Sequence, residues 1–107
     1  MVNFKSEILK AACGQKIEKI IVGGNDGWDH KFKQIPPEIT NKLLDWSDIE
    51  KHLNFEYDNG FGTEGCPPMT AWTKDFVLFV CCYDGSTWIA RISRNPAEIH
   101  PEYHGGG

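Results

Sequence analysis

The stretch that decides the fold is residues 71–96, AWTKDFVLFVCCYDGSTWIARISRNP. At its centre, Asp84-Gly85 is a preferred two-residue hairpin turn, because both positions tolerate the positive φ such a turn demands. The turn fixes a register in which Tyr83 faces Ser86, Cys81 faces Trp88, Phe79 faces Ala90 and Val77 faces Ile92. A second turn at Lys74-Asp75 places Trp72 against Val77. Together they predict a three-stranded β-meander over about residues 69–93.

Side chains alternate across a strand, so the meander has two faces. One carries Trp72, Val77, Phe79, Cys81, Tyr83, Trp88, Ala90 and Ile92; it is nearly all apolar and is expected to pack on a helix. The other carries Phe76, Leu78, Val80 and Cys82 with Met69, Ala71, Ile89 and Arg91, and it too is apolar for a wet surface. The expectation is that a short helix and the long loops cover this second face, with a partner protein as the alternative.

The helix is found at the N-terminus. Phe4, Ile8, Leu9 and Ala12 share one helical face, predicting a helix over about 4–13 with Asn3 as its cap and Gly14 at its close. Residues 16–22, KIEKIIV, are β-branched and read as a strand. A further short strand is expected within 39–46. Ser47-Asp48-Ile49-Glu50 has the spacing of a capping box and predicts a short helix over about 48–53. Residues 54–58, NFEYD, alternate Phe55 and Tyr57 with polar neighbours, as a half-buried strand does. The fold class that follows is α+β: a mostly antiparallel sheet of four or five strands, the 69–93 meander packed on the N-terminal helix, all in one domain over 1–96. Residues 97–107, rich in Pro, His and Gly, read as a loosely ordered tail.

Composition sets bounds on function. The chain has 107 residues, 40% hydrophobic and 24% charged, which suits one globular domain. No apolar run approaches the ~20 residues of a membrane span, and the N-terminus lacks the apolar core of an export signal. A cytoplasmic protein without membrane association is the expectation. Cys81 and Cys82 are neighbours on a strand and point apart, so the four cysteines are expected to be thiols. The net charge of −4 is unevenly spread. Residues 1–44 hold seven lysines against five acids, and residues 45–107 four bases against ten acids. With no basic run, direct nucleic-acid binding is disfavoured; the acidic half suits a partner with a basic surface.

The motifs that carry chemistry are sparse. Gly60, Gly62 and Gly65 have dinucleotide-loop spacing, but Pro67-Pro68 follows where a helix should open. The cysteines and histidines lack the closely paired spacing of zinc ligands, and the segment 25–29 lacks the ligand order of a calcium loop. No catalytic residue, metal or cofactor is therefore assigned.

The functional expectation is a small acidic protein that acts without catalysis by binding another protein, as an inhibitor or adaptor that occludes a surface. Such a role suits a phage, other virus or mobile element. The candidate contacts are Trp28 and Phe61, aromatic residues in Gly-rich loops, with Tyr57, Asp58 and Glu64 beside the second loop and Arg91 and Arg94 as polar anchors. One alternative is a small enzyme or ligand-binding domain whose pocket lies between loops 23–38 and 59–68, where Cys66, His30, Asp29 and Asp26 would converge. Another is self-association through the Leu78/Val80/Cys82 face. A monomer or a weak homo-oligomer is expected.

Overall fold

In a computed structural model, residues 1–23, 35–60 and 65–104 are described. Trp28, Phe61, Glu64, Asp26, Asp29, His30, Gly62 and Gly105-Gly106-Gly107 lie outside the described residues. The fold is α+β. A five-stranded antiparallel sheet runs in the order β3-β2-β5-β6-β7, built from β2 (Lys19–Val22), β3 (Leu44–Asp45), β5 (Met69–Trp72), β6 (Phe76–Tyr83) and β7 (Ser86–Ser93). A separate two-stranded ribbon pairs β1 (Val2–Asn3) with β4 (Glu56–Tyr57). The helices are α1 (Phe4–Ala12) and the single turn α2 (Trp46–Ile49), which runs on into a 3₁₀ turn at Glu50–His52.

Local chemistry explains α1. Its first amides are orphan donors, and each finds an acceptor: Phe4 N–H on the Phe55 carbonyl at 2.9 Å, Lys5 N–H on the Leu53 carbonyl at 3.0 Å, and Ser6 N–H on Asn3 Oδ1 at 3.0 Å. At the other end Cys13 turns left-handed (φ 56°) and its amide donates to the Lys10 carbonyl; Gly14 follows at φ 83°. Phe4, Ile8 and Ala12 are buried, whereas Leu9, grouped with them by periodicity, is 42% exposed.

The meander has the register read from its turns. Tyr83 pairs with Ser86, Cys81 with Trp88, Phe79 with Ala90, Val77 with Ile92, and Trp72 with Val77. The face assignment is the reverse of the expectation. α1 lies over β6 and β7 on the side of Leu78 and Ala71, both fully buried, and Phe76, Val80 and Ile89 pack against the same core. Ile20 and Val22 of β2 join it, with Ile49 and Leu53 from the second helical segment. The face with Trp72, Val77, Phe79, Cys81, Tyr83, Trp88, Ala90 and Ile92 is the outer one; Cys81 is buried within it, whereas Tyr83, Trp88 and Ile92 are 50%, 41% and 41% exposed. The reason is the pairing of β2 with β5. It sets Lys19 opposite Trp72, so burying Trp72's face would bury an ammonium as well, at several kcal/mol. The Leu78 face receives Ile20 and Val22 instead.

Other elements differ in smaller ways. The capping box does not form, because α2 starts at Trp46, one residue ahead of Ser47. Asp45 holds the N-cap position without capping, its carboxylate bonded to Lys19 Nζ. The strand expected within 39–46 shrinks to Leu44–Asp45 behind a 3₁₀ turn at Pro37–Ile39. The strand read over 16–22 covers Lys19–Val22.

One end of the sheet is tied by polar contacts. Gln15 Nε2 donates to Asp75 Oδ2 at 2.7 Å, and the Asp75 amide donates back to Gln15 Oε1 at 3.1 Å. The fully buried Thr73 hydroxyl donates to Gln15 Oε1 and accepts from the Phe76 amide. Arg94 Nη1 reaches Glu18 Oε1 at 2.7 Å and the Thr73 carbonyl at 2.9 Å. The turn between β5 and β6 is thus bolted to the segment after α1.

Candidate functional site

The outer face of the five-stranded sheet is the surface with the most unusual chemistry. Antiparallel pairing lines up Ile21, Thr70 and Phe79 across β2, β5 and β6, and Lys19, Trp72, Val77 and Ile92 across β2, β5, β6 and β7. Trp88 and Tyr83 continue it toward the Asp84-Gly85 turn. Large aromatic residues on a pleated surface give rigid contact area at a low cost in side-chain entropy. Two depressions indent the surface. One, of about 220 Å³, lies between Leu43, Trp72 and Lys19, with Glu18 and Arg94 at its rim. The other, of about 350 Å³, is bordered by Ile21, Thr70, Phe79 and Pro68. Of the tail, residues 97–104 are exposed, and His104 sets its ring edge-on to Phe79 at 5.4 Å.

Charge on this face is locally balanced. Lys19 Nζ bonds Asp45 Oδ1 at 2.5 Å, a contact that raises the lysine pKa above its ordinary value. Asp84 is exposed beside Tyr83, and Glu98 and Glu102 are exposed in the tail.

Among the described residues, the sequence-derived contacts Tyr57, Asp58, Arg91 and Arg94 do not gather in one place. Tyr57 is only 5% exposed, packed edge-on to Phe4 at 5.8 Å, and so offers no surface. Asp58 is exposed near the start of β7, where its Oδ1 accepts from the Gly60 amide at 2.9 Å. Arg94 stands at the opposite end of β7, held by Glu18. Arg91 points to the helix side, its guanidinium 4.9 Å above the Phe76 ring and near the Ala11 carbonyl. What sequence reasoning missed is that Trp72, Phe79 and Trp88 form a surface. The signal available was chemical: Trp and Tyr carry polar tips and tolerate partial exposure better than the Leu and Val of the other face.

The alternative pocket rests on Cys66, and this thiol is buried, with Sγ 3.9 Å from Thr87 Oγ1. Its suggested companions lie outside the described residues. Cys66 instead belongs to a buried polar cluster with Thr87 and Tyr57. Burial, with Cys66 next in importance, holds the Tyr57 phenol well above its ordinary pKa of 10.0. In the unfolded chain this phenol ionises near pH 10. The neutral form is favoured in the fold, so Tyr57's contribution is complete below that pH and is lost as pH rises further. Of the three tyrosines, one is therefore expected to ionise only with alkaline unfolding, seen as a late step in phenolate absorbance that Tyr57→Phe abolishes.

Among the described residues no three His, Cys, Asp or Glu side chains gather as a metal site, and no helix is long and apolar enough to cross a membrane. No family model matches the chain, and no curated protein or solved structure matches it either.

Proposed function

We propose that this protein acts by binding another protein through the outer face of its five-stranded sheet, as an inhibitor or adaptor that occludes the partner's surface. The observation that carries the reading is the apolar outer face, where Tyr83, Trp88 and Ile92 are each at least 41% exposed beside Trp72 and Phe79. Exposed apolar surface of this kind costs solubility and marks interaction sites. The two depressions beside Trp72 and Phe79 suit protruding side chains of a partner. The exposed acids Asp84, beside Tyr83, and Glu98 and Glu102, in the tail, favour a partner with a basic surface. Inhibition or bridging then follows from steric occlusion and requires no reacting group.

Site-specific photo-crosslinking tests the reading. A crosslinker placed at Trp72 or at Tyr83 is expected to capture one and the same partner in the cells that naturally carry the gene. The same group at Lys10, exposed on α1, is expected to capture none. Equal capture from Lys10, or no capture from the sheet positions, would sink it.

A further inference from the structure

The edge of the sheet formed by β7 carries a second surface, distinct from the outer face because it is made of backbone. Tyr83 and Ser86 flank a two-residue turn and exchange both their hydrogen bonds, as such flanking pairs do. Bonded pairs then recur at Cys81–Trp88, Phe79–Ala90 and Val77–Ile92. The residues between them on β7, namely Thr87, Ile89, Arg91 and Ser93, direct their amides and carbonyls away from β6. Thr87 confirms the phase, since its N–H donates outward to the Asn59 carbonyl at 3.0 Å. Among the described residues this is the only backbone bond to that edge, and none of them bonds the outward amides and carbonyls of Ile89, Arg91 and Ser93.

Natural sheets protect long edges with lysine, proline, a bulge or a covering loop. Residues 86–93, STWIARIS, have no lysine or proline, and the one-to-one register with β6 over eight pairs leaves no bulge. The single charge, Arg91, is turned to the helix side and is engaged with Phe76. The opposite edge of the sheet, β3, is only two residues long.

We infer that β7 pairs antiparallel with β7 of a second copy of this chain, across a two-fold axis at Ala90. Only certain registers bring outward-facing residues together about a two-fold axis. An axis at Ile89 places Thr87, whose amide is already committed to Asn59, in the pair next to the centre, opposite Arg91, whereas an axis at Ala90 leaves it to the outermost pair, opposite Ser93. An axis at Arg91 sets the two arginines directly opposite each other, which is destabilising. An axis at Ala90 bonds Ile89 to Arg91 in both directions. It also sets Trp88 across from Ile92 twice, in non-bonded pairs where side chains approach most closely. Trp88 and Ile92 are each 41% exposed in the single chain, and this register lets each cover the other. The small Ala90 stands on the axis, where two side chains must meet. The result is a ten-stranded sheet with one continuous outer face.

Two measurements test this independently of the outer-face reading. Sedimentation velocity should show a concentration-dependent dimer by roughly 1 mM chain, with Trp88→Lys weakening it at least about tenfold. In a Cys13→Ser background, Ala90→Cys should give a disulfide-linked dimer under mild oxidation, because residues facing across the axis meet disulfide geometry. Glu102→Cys, exposed in the tail, should not. A monomer at all concentrations overturns the inference, and so does a dimer that ignores Trp88→Lys and does not crosslink through Ala90→Cys. Pairing of β7 with a strand of a different protein would appear as the first of these outcomes. Partner capture through Trp72 and Tyr83 can succeed or fail regardless of either result.

Discussion

Leu78→Ala is expected to destabilise the fold by about 2–5 kcal/mol, while the adjacent Phe79→Ala costs about 1 kcal/mol or less. The two residues are neighbours on β6, and by size alone the phenylalanine should matter more. Leu78 is fully buried in the core beneath α1, with Ala71 and Ile20, so its truncation leaves a cavity that rigid neighbours cannot fill. Phe79 is partly exposed on the outer face, where it meets His104 and water. Urea unfolding of the two variants, compared at equal slope, measures the contrast. A greater loss for Phe79→Ala than for Leu78→Ala would mean that the sheet buries its other face, and the binding surface proposed here would go with it.

Phe4→Ala is expected to cost about 3–5 kcal/mol. Against a total stability of roughly 5–15 kcal/mol for a domain of this kind, that is a large share. Phe4 is fully buried and sits where three pieces meet. It is the first residue of α1, its ring lies 5.4 Å from Phe55 and 5.8 Å from Tyr57, and its amide is held by the Phe55 carbonyl. Truncation therefore loosens the β1–β4 ribbon as well as the helix. The same variant is expected to bring forward the late ionisation of Tyr57, since water then reaches the phenol. Phe4→Leu, which retains most of the apolar volume, should lose much less on both measures. Thermal denaturation together with an alkaline absorbance titration reads both effects. Equal losses in the two variants would show that Phe4 does not join ribbon and helix through packing.

Local features were legible in the sequence. The Asp84-Gly85 turn fixed eight residue pairs of the β6–β7 hairpin because a two-residue turn permits only one register. Asn3 and the 4–13 periodicity marked α1 because capping and the 3.6-residue repeat act within one segment. The capping box at Ser47 failed for a long-range reason: Asp45 pairs with Lys19, 26 residues away, and the chain bends into helix two residues early, with Asp45 rather than Ser47 at the N-cap position. The surface role given to Tyr57 failed similarly, because β4 leaves the main sheet to pair with β1 and carries the ring beneath α1's first turn.

By itself the sequence determined the α+β class, the helix, and a meander whose strands meet in a known register. Those depend on interactions between residues close along the chain. Which face of that meander is core was decided only by tertiary structure. Both faces are apolar, so the strands carry no preference strong enough to choose. The choice came from β2, whose alternation of Lys19 with Ile20 and Val22 is set against β5 by long-range pairing. Leaving Lys19 in water with Asp45, and burying Ile20 and Val22, turned Leu78 inward and left Trp72, Phe79 and Trp88 on the outside.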